Sequence, residues 1–399
     1  MQSVPGRPVG FSLDGDRLEG REGDTVASAL LRNGITTFTR SIKYHRPRGP
    51  FCLAGSCGQC LMRVDGVPSL PACRVKAQEG MACERQNGPL GVEKDLFRAA
   101  DFLFADGLDH HHLLTGSRLL GRVALEVARR LAGLGELPAR VPGPVRGELR
   151  VVDLAIVGGG PAGLAAARAA GAQALLIERE AGTGGAALLF GAGPEQGAGR
   201  AGLLLDAECV GLYANDTKVP GNALLAVRHR DRILAIVAGR VIVATGGVSQ
   251  PLPFPGVDRP GVYAARGLLG LSVKVGRKLA VVGDGDEQQR CAEALSKRGY
   301  DIVLVSGVPR RALGNPVKAL DAGDGTRIRC DAVAIALPPA PLHELASCAG
   351  ASARFDGKGF PVETDQEGRT SVPWLFAAGT VAGKPAVPSG EIAGSAACR

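Results

Sequence analysis

The sequence predicts an α/β protein in which a small strand-rich N-terminal domain precedes a larger unit containing two βαβ folds. Three observations predict it. Residues 8 to 75 set short strands around one helix and a four-cysteine loop; from Val151 onward apolar strands alternate with helical segments; and glycine turns follow two of those strands. With 399 residues, 45% of them hydrophobic, the chain can bury a substantial core, and its length favours two or three domains. The 58 glycines follow no collagen-like period and suggest many tight turns and close backbone approaches.

In the N-terminal part, Val9 to Leu13, an Asp14-Gly15 turn and Arg17 to Glu19 read as a hairpin. A helix follows, with Asp24 placed to cap it and Val26, Leu30 and Leu31 on its apolar face. Cys60 to Val64 and Val67 to Val75 read as two strands joined at Asp65-Gly66. Strand, strand, helix and strands is the order of a β-grasp ferredoxin.

Residues 96 to 136 carry helical periodicity, with Leu120, Val123, Ala124, Val127 and Leu131 on one face, and Pro138, Pro142 and Pro144 then mark a linker. Beyond it come the apolar run Val151 to Val157, a glycine turn, an alanine-rich helix and the strand Ala174 to Ile177; a second βαβ unit begins at Lys278 to Val282. The expected domains are 1–95 for the ferredoxin-like part, 96–148 for connector and linker, 149–250 and 352–399 for one dinucleotide-type fold, and 251–351 for a second inserted into it.

The net charge of +8 comes without a lysine-arginine block and with only 4% aromatics, so nucleic acid is not an expected partner; a docking face for an acidic partner fits equally well. The N-terminal MQSVPGRPVG lacks the apolar core of a signal peptide, and no run approaches the roughly 18 apolar residues of a membrane helix. A cytoplasmic protein with no membrane span is expected. Of the ten cysteines, four are bunched and the rest scattered, which favours ligands over disulfides.

Those four, Cys52-x4-Cys57-x2-Cys60 and then Cys73, have the plant-type [2Fe-2S] spacing with a short final interval. Three thiolates on one tight loop and a fourth from an adjacent strand can converge on two irons, and Gly55 and Gly58 let the loop turn its amides toward the sulfurs. Structural zinc is the alternative, but it usually takes two C-x2-C pairs and only one is present. Cys83, Cys209, Cys291, Cys330, Cys348 and Cys398 have no partners at ligand spacing, and Cys291 suits a core.

Gly158, Gly160 and Gly163 form G-x-G-x-x-G directly between a strand and a helix. The first makes the turn, the second lets the backbone approach a pyrophosphate at the helix N-terminus, and the third lets helix and strand pack closely. Glu178, at the end of the next strand, can accept from the adenosine ribose. The segments Arg240 to Gly246 and Trp374 to Thr380 resemble the strand-ATG and strand-AAGD segments of two-dinucleotide-domain flavoproteins such as thioredoxin reductase. That resemblance implies FAD, held by Gly158, Gly160, Pro161, Ala162, Gly163, Glu178, Arg179, Gly185, Ala244, Thr245, Gly246, Gly379 and Thr380. Two departures stand out: Thr380 replaces the family's usual aspartate, and the segment from Gly185 to Gly211 is short.

The second fold has Gly283 and Gly285, but Gln288 replaces the third small residue and is expected to push helix from strand. Its acidic ribose partner is missing; Ser306 stands near that strand end, with Arg310 and Arg311 beyond. NAD(P), an adenine-only ligand and a vestigial site all remain open readings. No CxxC pair accompanies this fold, so a thioredoxin-reductase dithiol is not expected. His110 to His112 cannot share one face and read as solvated connector; His45 reads as domain surface.

The order of these parts, with Tyr44-His45-Arg46-Pro47-Arg48-Gly49 before the cysteines, Ala132 to Pro138 ending the connector, Phe254 to Tyr263, and Ser389-Gly390-Glu391-Ile392-Ala393-Gly394 near the end, resembles a known group. These are the α subunits of heteromeric sarcosine oxidase, opine (octopine or nopaline) oxidase, proline or hydroxyproline dehydrogenase and hydrogen cyanide synthase. The resemblance implies an oxidoreductase subunit acting on CH–NH or CH–NH2 donors, in which a partner β subunit similar to D-amino-acid oxidase binds the amine or amino acid on its own FAD. This chain would relay the electrons. It also implies that some members carry FMN at the subunit interface, and that folate chemistry and a second cluster are not expected here. No catalytic residue is assigned, because no serine-histidine-acid set or carboxylate pair stands out. Two other functions fit the same residues: a self-contained NAD(P)H-dependent iron-sulfur flavoprotein reductase, and a scaffold with a degenerate flavin site.

Overall fold

The computed structural model describes residues 6–41, 46–86, 121–122, 143–192 and 197–399. The expected connector over 96–148 lies outside the described residues apart from 121–122 and 143–148, as do Tyr44, His45 and His110 to His112. Two units are present, one made of 1–141 and 251–337, the other of 142–250 and 338–399.

The first unit begins with β1 (Pro8–Leu13) and β2 (Asp16–Arg21), then α1 (Val26–Arg32), β3 (Leu61–Val64), β4 (Val67–Pro71) and β5 (Ala82–Glu84). The sheet order is β2-β1-β5-β3-β4. Both expected Asp-Gly turns are real: Asp14 and Gly15, and Asp65 and Gly66, all have positive φ, as a two-residue turn matched to strand twist demands. The expectation for the helix cap is corrected. Thr25 is the N-cap and exchanges bonds with Ser28, whereas Asp24 lies buried beneath the helix and accepts from Arg32 (3.0 and 3.2 Å) and from Ser28. The second strand of the later hairpin stops at Pro71, so Cys73 sits in a turn rather than on a strand. β5 had no period-two signal, because three residues are too few to show one; it is nevertheless central, parallel to β1 and antiparallel to β3.

The other unit opens with β6 (Arg146–Val157), α2 (Pro161–Ala170), β7 (Ala174–Ile177) and β8 (Gly202–Leu204), followed by β9 (Ala207–Ala214), β10 (Ala223–His229) and β11 (Arg232–Val243). These lie in the order β8-β7-β6-β11-β10-β9, parallel from β8 to β11 and antiparallel beyond. Helix α2 lies against strands that are apolar on both faces, as a covered parallel sheet requires.

The inserted segment adds β12 (Val262–Ala264), α3 (Ala265–Gly270), β13 (Lys278–Val282), α4 (Gly285–Lys297), β14 (Asp301–Val305) and β15 (Ala332–Ile335). Its four strands are parallel in the order β12-β15-β13-β14. Phe51 and Cys52 belong to the same apolar cluster as Val262, Ala264, Val282 and Ile335, so the cysteine loop grows out of this fold's core. The chain then returns to the other unit with β16 (Leu375–Ala377), parallel to β11, and α5 (Ala386–Ala397). Among the described residues no helix is long and apolar enough to cross a membrane.

Candidate functional site

The cysteine loop is shaped by backbone that most side chains avoid. Leu53, Gly55 and Gly58 all have positive φ, and the fold-back turns the amides of Ala54 (3.4 Å) and Ser56 (3.3 Å) onto the Cys52 sulfur. Cys52, Cys60 and Cys73 are buried and Cys57 is partly so. Their thiols bond to one another: Cys57 and Cys73 donate to Cys52, which together with those amides drives its pKa down against burial, and Cys60 is lowered by Cys73. Cys57 and Cys73, as donors, are pushed up.

The four thiols act on one another, Cys52 on Cys57, Cys60 and Cys73, and Cys60 on Cys73. Among the described residues no three His, Cys, Asp or Glu side chains are grouped as ligands of one metal ion. Four thiols carried by one loop and the turn after its hairpin can supply the two thiolates that each iron of a [2Fe-2S] cluster takes. The donor set therefore fits a [2Fe-2S] cluster.

In the other unit the glycine turn is equally specific. A Cβ on Gly158 would lie 2.4 Å from the Ala244 carbonyl oxygen, and one on Gly163 would lie 1.8 Å from that of Gly158. These two glycines are close-packing positions. Gly160, by contrast, faces open space, and α2 starts there with Pro161 at its head and no side chain capping its amides. That is a cradle for an anion. The Glu178 carboxylate, buried below the turn, accepts from the amides of Gly159 (2.6 Å) and Glu180 (2.8 Å), leaving lone pairs that ribose hydroxyls can use. Arg179 is exposed beside Glu180.

Gly185 lies against Gly160, where its Cβ would be 3.0 Å from the Gly160 Cα. Ala244 continues β11 beside the turn, and Thr245 donates to the Leu342 carbonyl (2.8 Å), with Gly246 next to it accepting from the Leu342 amide. Gly379 reaches the first turn of α2, with its Cβ position 2.8 Å from that of Ala162, and its amide is already held by the Ser389 hydroxyl (2.9 Å). Thr380 packs its methyl toward Gly247. The structure brings Gly158, Gly160, Pro161, Ala162, Gly163, Glu178, Gly185, Ala244, Thr245 and Gly379 around one turn, whereas the contacts of Arg179, Gly246 and Thr380 are with Glu180, Leu342 and Gly247; the open face at Gly160 fits a dinucleotide pyrophosphate.

Ser389, Gly390 and Gly394 carry more than sequence reasoning assigned them. Cβ atoms on Gly390 and Gly394 would lie 2.2 and 2.4 Å from the carbonyl oxygens of Ala162 and Ala166, so α5 rides directly on the backbone of α2. The small-x3-small spacing was the available signal.

The second fold differs at each corresponding position. Gln288 does not push α4 away; its buried amide donates to the carbonyls of Val281 (2.9 Å) and Val305 (3.0 Å) and ties helix to strands. Asp284 caps across to the Gly307 amide (3.1 Å), and Asp286 and Glu287 occupy the first turn. Arg311 is paired with Asp321 (2.8 Å), and Arg310 donates to the Gly323 carbonyl (3.1 Å). The α4 N-terminus is uncapped and open at Gly285 like that of α2, but this set fits a dinucleotide poorly: Asp284 and Asp286 put carboxylates where a pyrophosphate would lie, Gln288 fills the place of the third glycine, and Arg311 is paired with Asp321.

Comparison with known proteins agrees with this layout. Residues 6–88 match the family described as 2Fe-2S iron-sulfur cluster binding domain, and residues 152–318 match Pyridine nucleotide-disulphide oxidoreductase. The sarcosine oxidase subunit alpha of Rhizobium meliloti is 29% identical over 346 residues, covering 75% of this chain and 34% of that protein. The hydrogen cyanide synthase subunit HcnA of Pseudomonas aeruginosa is 29% identical over 94 residues, covering 24% of this chain and 89% of that protein. The crystal structure of L-proline dehydrogenase from P. horikoshii aligns with TM-score 0.73 at 25% identity, covering 98% of this chain and 72% of that one. The chain spans about a third of the length of the sarcosine oxidase α subunits it matches. A β-grasp cluster domain joined to a two-dinucleotide-domain flavoprotein unit, with relatives matching each part, is the layout of an oxidoreductase and makes this chain similar to the α subunits of sarcosine oxidase.

Proposed function

We propose that this chain is the electron-transfer α subunit of a heteromeric FAD-dependent amine or amino-acid dehydrogenase or oxidase, of the sarcosine, opine, proline/hydroxyproline or glycine-to-cyanide type. The observation that carries the reading is the presence in one chain of both a four-thiol loop and an open glycine cradle. When bound, the flavin exchanges one or two electrons and the cluster one, which together supply a two-to-one-electron relay.

In this reading the amides at the start of α2 bind the FAD pyrophosphate, and Glu178 orients the adenosine end through its free lone pairs. Gly158, Gly163, Gly390 and Gly394 keep the turn, strand and two helices close enough for that cradle to hold its shape. Cys52, Cys57, Cys60 and Cys73 are the cluster ligands, and the amides of Ala54 and Ser56 offset negative charge on the Cys52 sulfur, favouring the reduced state. The substrate amine is bound by a D-amino-acid-oxidase-like partner, consistent with relatives that are themselves named as subunits.

The test is the visible spectrum of the purified chain, alone and with a co-expressed oxidase-like β chain. Flavin and iron-sulfur bands that bleach only when partner and one of sarcosine, proline, hydroxyproline, octopine, nopaline or glycine are supplied are the expected result. Bleaching of the lone chain by NADH or NADPH would assign it instead as a self-contained reductase. A colourless preparation would sink the cofactor reading.

A further inference from the structure

We propose that the second dinucleotide-type fold takes no nucleotide and instead mounts the cysteine loop, with Glu287 as the positioning residue that holds the mount through Arg266. In a working dinucleotide fold the first turn of the helix after the first strand is left free for a pyrophosphate. Here the turn's amides are uncapped and Gly285 faces open space, as at Gly160, but three of its polar side chains, Asp284, Glu287 and Gln288, have another task. Asp284 takes the Gly307 amide at the end of β14, the place where an adenosine ribose would lie. Gln288 bridges the carbonyls of β13 and β14. Asp286 adds negative charge to a helix end whose dipole would otherwise attract an anion, while the charge of Glu287 is matched by Arg266.

Glu287 faces α3 and receives both Nε (2.6 Å) and a terminal nitrogen (2.9 Å) of Arg266 in a bidentate pair whose side chains are 11% and 18% exposed. The next residue, Gly267, lies under the loop: a Cβ there would be 2.5 Å from the Cys52 carbonyl oxygen. The preceding strand takes up the same loop, because the Ala264 amide donates to the Phe51 carbonyl (2.9 Å). The turn that would bind a nucleotide therefore grips, through one ion pair, the short helix on which Cys52 rests. A fork-to-fork pair of this kind fixes orientation as well as distance.

The nucleotide half is tested by calorimetric titration of the FAD-loaded full chain, whose Gly160 cradle is already filled, with NADH, NADPH and ATP, each to about 1 mM. No saturable binding is expected, and saturation by any of the three in that range would overturn it. The mount half uses Glu287→Gln and Arg266→Met, with Arg266→Lys as the conservative variant, read by hydrogen exchange of peptides covering residues 51–57. At least about tenfold faster exchange there, with residues 161–170 unchanged and partial recovery in Arg266→Lys, is expected for a local opening of this size. Unchanged exchange at 51–57 in both disruptive variants would overturn it. The mount half takes its meaning from the cluster reading but its exchange readout needs no iron, so wild-type protein without iron would count against that reading alone. In iron-loaded protein, the same two variants are expected to displace the EPR signal of the reduced state.

Discussion

Gly163 has no room for a methyl group. A Cβ there would sit 1.8 Å from the Gly158 carbonyl oxygen, a backbone atom that cannot yield without opening the turn. Gly163→Ala is therefore expected to cost at least the roughly 1–3 kcal/mol of an overpacked site and to lower flavin content, measured by thermal melts and flavin extraction. Gly66→Ala, at φ +77° but with nothing within 4 Å, carries only the backbone term of about 1 kcal/mol and is expected to leave flavin content unchanged. Glu178→Gln keeps volume but offers one acceptor oxygen where the carboxylate serves two amides at 2.6 and 2.8 Å. At about 1.5–3 kcal/mol for bonds to a charged group, FAD is expected to rebind the stripped protein roughly ten- to hundredfold more weakly. Among the remaining cysteines, burial pushes the thiols of Cys83 and Cys330 up to about 11 and that of Cys291 to about 12, whereas Cys348 is exposed. Alkylation at neutral pH followed by mass spectrometry is expected to mark Cys348 and spare those three.

At the scale of elements, the pairing of α2 with α5 decides how tightly the glycine turn is backed. Two glycines one helical turn apart let the helices meet backbone to backbone, and Ser389 beside them holds the Gly379 amide. Gly390→Ala and Gly394→Ala each place a methyl against a carbonyl oxygen and are expected to lower the melting temperature, with the double variant losing bound flavin before it unfolds. The cysteine loop shows the same dependence on neighbours. Its turn is written in Gly55 and Gly58, but it rests on α3 only because residue 267 is glycine. Cys52→Ser would leave that packing in place while removing the sulfur that two amides and two thiols address, so iron is expected to fall while the flavin spectrum persists.

At the scale of the molecule, the ferredoxin-like domain and the inserted fold form one unit, and a buried carboxylate lies where they meet. Asp24 is 2% exposed and accepts from Arg32, Ser28, the Arg21 amide and, from the inserted segment, Ser272 (2.6 Å). Burial alone would raise its pKa, but the bonds from Arg32 and Ser272 prevail and hold it below the usual carboxylate range. Because the folded value is the lower one, its stabilisation is complete above the unfolded value of about 3.9 and is lost as pH falls through the folded value. Melting temperatures measured from pH 7 downward are expected to fall below about pH 4, and Asp24→Asn is expected to be less stable at pH 7 with a shallower acid decline.

What the sequence by itself determined was local. The Cys52, Cys57, Cys60 spacing, the G-x-G-x-x-G turn from Gly158 and the two Asp-Gly hairpins are features whose chemistry and backbone demands fall within a few consecutive residues. The tertiary structure decided what depends on partners distant along the chain. Asp24 reads as a helix cap until Arg32 and Ser272 claim it, and Gln288 reads as a misfit until the carbonyls of Val281 and Val305 receive it. Arg310 and Arg311 stand open in the sequence, between phosphate ligands and a solvated pair, until Gly323 and Asp321 are seen beside them. Whether a polar side chain is free for a ligand depends on which other groups the fold brings within about 3 Å of it, and no spacing rule in one segment carries that information.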